Sequence, residues 1–157
     1  MSEEFNIFKT LKADRVVVTD DACKTEILDR LIDVLAGTAE VTDPDALTVA
    51  IAKREQMMST GIGRGIGIPH VRIDGVSDIV MAVGLVRNGV PDYDSLDGLP
   101  VKLIFMIAAR PDQHEEHLRL LSRISRSLKK DFFLNMLFSA PDAGALYQLL
   151  SEELVDE

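Results

Sequence analysis

The sequence of 157 residues has one cysteine and no long apolar segment. The single cysteine, Cys23, excludes an internal disulfide and any thiolate cluster within one chain. It precedes Ile27 on an apolar helical face, so we expect a packed core thiol and not a nucleophile. No apolar run approaches the roughly 20 residues that a bilayer-spanning helix needs. The acidic N-terminus lacks the basic and apolar regions of a secretory signal, which indicates a cytoplasmic protein.

Positive charge is also scarce. The 17 lysines and arginines are outnumbered by 26 aspartates and glutamates, which gives a net charge of −9. This balance argues against a general nucleic-acid-binding protein, because such proteins need a basic footprint. One basic cluster is the exception, and it fits either a solvated helix face, which we favour, or a docking surface for an acidic partner. The cluster comprises Arg119, Arg123, Arg126, Lys129 and Lys130.

The apolar periodicity predicts one α/β domain over residues 1–157, with ends that fray at about 1–10 and 152–157. Helices precede and follow the main strands, which implies a three-layer domain with a mixed parallel/antiparallel β-sheet of about five strands flanked by helices. The run 101–109 is apolar almost throughout and should be central in that sheet. The turn-rich segment 87–100 should be solvated. The predicted strands are 16–18, 64–70, 78–86 and 101–109, and the predicted helices are 22–36, 44–58, 112–128, 131–140 and 141–154.

The stretch GIGRGIGIPH, residues 61–70, combines alternating glycines with a terminal histidine. Strict alternation does not fit the G-x-G-x-x-G dinucleotide fingerprint, and no lysine follows to complete a P-loop. In a strand, Ile66, Ile68 and His70 would share one face, and the glycines would let another element approach the other face. His70 would then emerge at the strand end, held by the restricted backbone of Pro69. The segment fits two interpretations of His70 equally well: a residue with a functional role, or a half-buried histidine whose ring makes a hydrogen bond to the backbone.

Two more polar residues interrupt apolar helical stripes. An apolar stripe on the second predicted helix is formed by Leu47, Ile51 and Met58. Arg54 lies on this stripe, where it either snorkels near the helix C-terminus or faces an anion inside the fold. His117 begins a stripe that continues with Ile124, close to the positive end of the helix dipole. It is therefore either a core histidine with a backbone partner or a residue that helps to bind an anion.

Convergence of His70, Arg54 and His117 would create a phosphate site, although spacing does not require it. A neutral imidazole at His70 can attack phosphorus, Arg54 can neutralise phosphoryl oxygens, and His117 can donate to one of them. A zinc site is disfavoured, because His114 and His117 are three residues apart where the zincin motif needs four. No obvious third ligand accompanies that pair.

The segment REQMMSTGIGRGIGIPH, Arg54–His70, resembles the active-site signature of the fructose/mannitol-type (type 2) enzyme IIA domains of the bacterial phosphotransferase system. The resemblance extends through VMAVGLV, YDSLDGLPVKLIFMIAA and EEHLRLLSRIS, and is most like the free-standing nitrogen-regulatory branch. It implies a phosphotransferase-type protein in which His70 is phosphorylated by HPr or a paralogue. Arg54 and His117 match the family's phosphate-site arginine and second histidine. The resemblance implies a mixed sheet flanked by helices, and no metal or organic cofactor.

Three positions depart from the family pattern. The family usually has alanine at Gly67, a small residue at Val71, and asparagine or a carboxylate at Arg64. Val71 would narrow the approach to His70, and Arg64 would strengthen phosphate binding or alter partner choice.

The leading hypothesis is a histidine phosphocarrier whose phosphorylation state controls partners such as a kinase, a transporter or a transcription factor. One alternative is a binding module that carries no phosphate, and another is the IIA component of a fructose/mannitol-type uptake system. An enzyme that uses His70, His114 and His117 with zinc or a small molecule ranks lowest.

Overall fold

A computed structural model describes residues 10–155 and contains a six-stranded mixed sheet with helices on both faces. The first described element is a short 3₁₀ helix, Ala13–Arg15. The strands are β1 (Val16–Thr19), β2 (Gly61–Gly63), β3 (Ile66–Gly67), β4 (His70–Arg72), β5 (Val80–Val90) and β6 (Val101–Ala109). The helices are α1 (Lys24–Ala36), α2 (Pro44–Met57), α3 (His114–Leu128), α4 (Asp131–Phe138) and α5 (Ala143–Val155).

Strand β6 is central, as its nearly uniform apolar sequence predicted. On one side, β6 pairs with β5 in antiparallel orientation. On its other side, β6 pairs in parallel with β3 near its N-terminal end and with β4 near its C-terminal end. Strand β1 adds to the far side of β5 in parallel. The predicted mixed sheet is therefore confirmed, and β4 lies beside the C-terminal half of the strand at its centre.

Alternate side chains of β5 and β6 enter two separate core clusters, since successive residues of a strand face opposite sides. Met81 and Phe105 pack with α3, α4 and α5. Ala82 and Met106 pack with α1 and α2. The sheet is thus the middle of three layers, and its two faces carry the helices that supply the site.

Local signals placed most elements correctly, and α2 begins as expected. The Oδ1 atom of Asp43 accepts a hydrogen bond from the Ala46 amide at 3.1 Å, and Pro44 occupies the first turn. This side-chain cap satisfies one of the amides that a helix start leaves unpaired.

Two expectations were wrong. The turn residues of segment 87–100 predicted a solvated loop, but strand β5 continues to Val90. The buried Gly89 and Val90 extend the ladder of β5 beside β6. The fraying expected at about 1–10 and 152–157 stays a prediction; Thr10 is buried and α5 continues to Val155. The ends 1–9 and 156–157 lie outside the described residues. Cys23 is half-buried at the N-cap of α1, where its amide donates to Glu26, and not on the apolar face.

The glycine segment differs most from its prediction as one strand. Strands β2 and β3 form an antiparallel hairpin, and the chain then breaks before β4 begins at His70. Gly63, Arg64 and Gly65 have φ values of 100°, 58° and 80°, a left-handed turn that favours glycine. Gly65 therefore serves the turn, and it is also closely packed, since a Cβ atom there would lie 3.1 Å from Cζ of Phe138.

Candidate functional site

His70 stands at the first position of β4 and not at the end of a strand. Pro69 has no amide hydrogen, so the ladder with β6 is interrupted there and resumes when the Ile107 amide donates to the Pro69 carbonyl at 2.9 Å. The register then places His70 opposite Ile107. The buried Pro69 and the central strand therefore hold the histidine backbone while its ring stays half-buried.

The His70 ring is oriented by its own backbone. Its Nδ1 atom lies 2.6 Å from the carbonyl oxygen of Ile68. A carbonyl oxygen can only accept a hydrogen bond, so Nδ1 carries the proton. In the neutral ring the lone pair is then on Nε2, which is the nitrogen available as a nucleophile.

His117 lies in the second turn of α3 and packs against His70. The two ring centroids are 5.3 Å apart, with an interplanar angle of 77°. His117 is only 5% exposed, and its Nε2 atom has no hydrogen-bond partner among residues 10–155. A buried nitrogen without a partner is costly, and a phosphoryl oxygen on His70 would offer it an acceptor.

Burial is also the main reason that the pKa of His117 falls to about 4, and the charges of His70, Arg72 and His114 lower it further. His117 is therefore neutral at neutral pH. A neutral imidazole still carries one N–H group, and this group can donate a hydrogen bond to an anion.

Arg54 reaches the same place from the last turn of α2. Its side chain is half-buried, and Nη1 donates to the Met58 carbonyl at 3.0 Å. The predicted apolar stripe holds at Leu47 and Ile51, which are buried, while Met58 at the C-cap is exposed. Arg54 thus sits where the stripe ends and the helix opens onto a cavity.

A cavity of about 550 Å³ joins the three predicted residues. Its lining contains three cationic side chains and no carboxylate, in a chain of net charge −9. Such a lining suits a phosphoryl group, whose oxygens are neutralised by guanidinium and ammonium groups. The lining residues are Ala50, Lys53, Arg54, Met57, His70, Val71, Arg72, Ile73, Pro111 and His117.

Lys53 and Arg72 also line the cavity, and neither was predicted from the sequence. A usable signal existed for Arg72, because it lies two residues after His70 and side chains at that spacing share one face of a strand. Its Nη1 donates to Nδ1 of His114 at 2.7 Å. Lys53 precedes Arg54 on an exposed part of α2 and carries no comparable signal.

Arg64 lies outside the cavity lining, so the expectation that it strengthens phosphate binding is wrong. Its amide donates to Asp97 at 2.8 Å, and its guanidinium binds the Leu128 carbonyl at 2.6 Å and the carboxylate of Asp131. These bonds hold the left-handed turn against the C-terminal end of α3. Val71 does line the cavity, beside His70.

Gly67 is a close-approach position. A Cβ atom there would lie 2.9 Å from both Cζ and Oη of Tyr93, whose hydroxyl is 2.6 Å from Oγ1 of Thr60. Burial, followed by the nearby charge of Glu55, raises the pKa of Tyr93. The tyrosine ring therefore occupies the space that an alanine side chain at position 67 would need.

Gly67→Ala is expected to destabilise the protein by about 1–3 kcal/mol, because the buried Tyr93 ring must move and its hydroxyl must leave Thr60. Urea denaturation measures the effect. Gly144→Ala is the matched control, since Gly144 is exposed in α5 with no neighbouring atom closer than 3.5 Å. There alanine should be neutral or stabilise by up to about 1 kcal/mol. Equal effects at the two positions would contradict the close approach.

The residues that the structure describes contain no group of three or more histidine, cysteine, aspartate or glutamate side chains arranged to hold a metal ion. His114 is exposed and bound to Arg72, whereas His117 is buried beside His70. Within the same residues, no helix is both long and apolar enough to cross a bilayer.

Comparisons with known proteins agree on one family. The pattern described as "Phosphoenolpyruvate-dependent sugar phosphotransferase system, EIIA 2" matches residues 9–153. The chain therefore belongs to this EIIA 2 family of the phosphotransferase system. Domains of this class belong to a system that transfers phosphoryl groups from phosphoenolpyruvate.

Relatives come from both the sugar-specific and the regulatory branches. The chain is 37% identical over 82% of its length to the PTS system fructose-specific EIIABC component of Bacillus subtilis, of which it covers only 20%. It is 36% identical over 81% of its length to a nitrogen regulatory protein of Pseudomonas aeruginosa, of which it covers 82%. The structure of nitrogen regulatory protein IIA-Ntr from Neisseria meningitidis superposes with a TM-score of 0.82 at 26% identity, over 92% of this chain and 98% of that one.

The low pKa of His117 makes stability depend on pH in a defined window. The folded protein keeps His117 neutral down to about pH 4, whereas an unfolded histidine binds a proton below about 6.5. Falling pH therefore favours the unfolded state, and we expect about 3 kcal/mol of stability, present above pH 6.5, to be lost as pH falls to 4. Urea denaturation across this range measures the loss. His117→Asn should remove this share of the pH dependence, and an unchanged slope in that variant would contradict the prediction.

Proposed function

We propose that His70 accepts a phosphoryl group on Nε2 from a phosphohistidine carrier, HPr or a paralogue. The Nε2 lone pair forms a bond to phosphorus while the bond between phosphorus and the donor's histidine nitrogen breaks, and its electron pair returns to the donor ring. The His70 ring gains positive charge in this step. The Ile68 carbonyl, 2.6 Å from Nδ1, stabilises that charge and keeps the ring oriented.

The surrounding side chains have separate roles in this proposal. Arg54 presents a fork of donors to the phosphoryl oxygens, and His117, neutral because it is buried, donates one hydrogen bond. Arg72 and Lys53 add positive charge to the same lining. The single observation that carries the proposal is the meeting of Arg54, His70 and His117 at one carboxylate-free cavity, with Nδ1 of His70 already bonded.

The proposal is tested by incubating the full chain with phosphoenolpyruvate, enzyme I and HPr. We expect a phosphoryl group that is labile in acid and stable in base, and ³¹P NMR should identify the linkage as Nε2. A family protein known to accept phosphate serves as control in the same mixture. Labelling of the control without labelling of this chain, or a linkage through Nδ1, would overturn the proposal.

The phosphorylation state also controls a partner in this proposal. Similarity to the nitrogen regulatory proteins of Pseudomonas aeruginosa and Neisseria meningitidis supports a regulatory target, such as a kinase, a transporter or a transcription factor. Binding measured with the wild type, His70→Ala and His70→Asp tests this role. Identical partners and affinities for all three proteins would argue against a phosphorylation switch. The role also implies a cytoplasmic location.

Sugar uptake is the second candidate, because the fructose-specific component of Bacillus subtilis contains a matching segment. In that case phosphorylated His70 would pass its phosphoryl group to an IIB domain. Transfer from the labelled chain to a purified fructose-type IIB domain distinguishes this role from regulation. Retention of the label in the presence of that domain would argue for the regulatory role.

A further inference from the structure

A buried ion pair lies next to the site and takes no part in the proposed phosphoryl transfer. Glu55 directly follows Arg54 in the last turn of α2, but its side chain is only 8% exposed and does not line the phosphate cavity. Its Oε1 atom lies 2.9 Å from Nζ of the half-buried Lys24 on α1. A buried carboxylate is costly unless it is paired and hydrogen-bonded, so the groups that bind Glu55 are held firmly in place.

Thr60 is the second partner of Glu55, and it is bound at two atoms. Its hydroxyl lies 2.7 Å from Oε2 of Glu55, and its amide nitrogen lies 3.4 Å from Oε1. Because a carboxylate only accepts, the one hydroxyl proton of Thr60 points to Glu55. The hydroxyl of Tyr93, 2.6 Å from Oγ1 of Thr60, must therefore be the donor of that bond. Thr60 is buried, and both its amide and its side chain are fixed.

Thr60 connects this buried network to the hairpin that precedes His70. Its carbonyl accepts a hydrogen bond from the Ile68 amide at 3.0 Å, one residue beyond the paired ends of β2 and β3. The next residue, Pro69, has no amide hydrogen with which to continue the hairpin. The Ile68 carbonyl in turn accepts from Nδ1 of His70 at 2.6 Å. The bond at Thr60 therefore holds the residue whose carbonyl orients the His70 ring.

We propose that Glu55 and Thr60 are positioning residues for His70, which hold the Ile68 carbonyl where it keeps the proton on Nδ1 and the lone pair on Nε2. The inference rests on the proposed function, since it concerns which nitrogen attacks phosphorus. A neutral imidazole can carry its proton on either nitrogen, and in water the tautomer with the proton on Nε2 is the more abundant, so the fold must supply the preference. A buried and fully bonded network fixes one geometry more firmly than bonds exposed to water.

The test compares Thr60→Val, which removes the hydroxyl and keeps the shape of the side chain, with Thr60→Ser, which keeps the hydroxyl. ¹⁵N NMR of histidine-labelled protein in weakly alkaline solution shows which ring nitrogen of His70 bears the proton, and His70→Ala identifies the signals. Thr60→Val should move the proton from Nδ1 toward Nε2 and slow single-turnover phosphorylation by phosphorylated HPr by about tenfold or more. Thr60→Ser should restore both. Thr48→Val is the matched control and should change neither, because the exposed Thr48 of α2 donates to the Pro44 carbonyl.

Two further variants separate positioning from stability. Glu55→Met removes the acceptor, keeps a good helix former in α2, and should shift the tautomer in the same direction as Thr60→Val. Tyr93→Phe leaves the bond between Thr60 and Glu55 in place, so it should lower the thermal midpoint without moving the proton. The wild-type tautomer in folded Thr60→Val or Glu55→Met would overturn the inference, and so would an equal shift in Tyr93→Phe. The tautomer is measured without phosphate, so a wild type that HPr fails to label would contradict the proposed function while this comparison still decides the inference.

Discussion

Replacement of His70 by alanine is expected to abolish acid-labile phosphorylation of this chain by phosphoenolpyruvate, enzyme I and HPr. In the proposed mechanism Nε2 of His70 is the nucleophile, because Nδ1 is bonded to the Ile68 carbonyl. His117 is not a substitute, since its ring is 5% exposed on α3. Alanine removes the nucleophile and leaves the cavity cations in place, so the loss should be complete.

His114→Ala is the matched control, because it removes a histidine of the same neighbourhood that contacts Arg72 without lining the cavity. It should retain most of the phosphorylation. Circular dichroism and a thermal midpoint establish that both variants fold. Phosphorylation of the folded His70→Ala variant at the wild-type level would show that another residue carries the phosphoryl group.

Replacement of Arg54 by glutamine is expected to slow phosphorylation by about 100-fold, the size of effect seen when one hydrogen-bond donor to a developing anion is removed. Glutamine is a good helix former, so the last turn of α2 should persist. Arg54→Lys keeps the charge but loses the planar fork, and its rate should fall between those of the wild type and the glutamine variant. Single-turnover labelling by phosphorylated HPr measures the three rates.

Lys53→Gln provides the comparison within the same lining. Lys53 is an exposed point charge, so its loss should cost less than the loss of half-buried Arg54. Equal losses for both variants would indicate that only the summed charge of the cavity matters. A wild-type rate for Arg54→Gln would remove Arg54 from the proposed site.

Much of the fold could be predicted because its signals are local. The limits of β6 were predicted from a nearly uniform apolar run, and the start of α2 from Asp43 followed by Pro44. The glycine segment was harder. Its alternation matched a strand, but left-handed backbone at Gly63–Gly65 and the missing amide hydrogen of Pro69 divide it into a hairpin and a separate strand.

A residue of the candidate site could be predicted only where its polar side chain interrupts an apolar pattern. Arg54 and His117 stood out because they lie on otherwise buried helical stripes. Lys53 and Arg72 did not, because a basic residue at an exposed position is ordinary. Arg64 was misplaced, since its charge is bound at Leu128 and Asp131, where α3 ends and α4 begins.

By itself, the sequence determined the order of strands and helices, the cap of α2, the net negative charge and three polar residues placed where apolar ones were expected. These properties depend on neighbours within a few positions. Only the tertiary structure decided that α2, β4 and α3 meet at one cavity, that Nδ1 of His70 binds the Ile68 carbonyl, and that Nε2 of His117 lies buried without a partner. Those contacts depend on the register of β4 against β6 and on helices packed on opposite faces of the sheet, which no local pattern specifies.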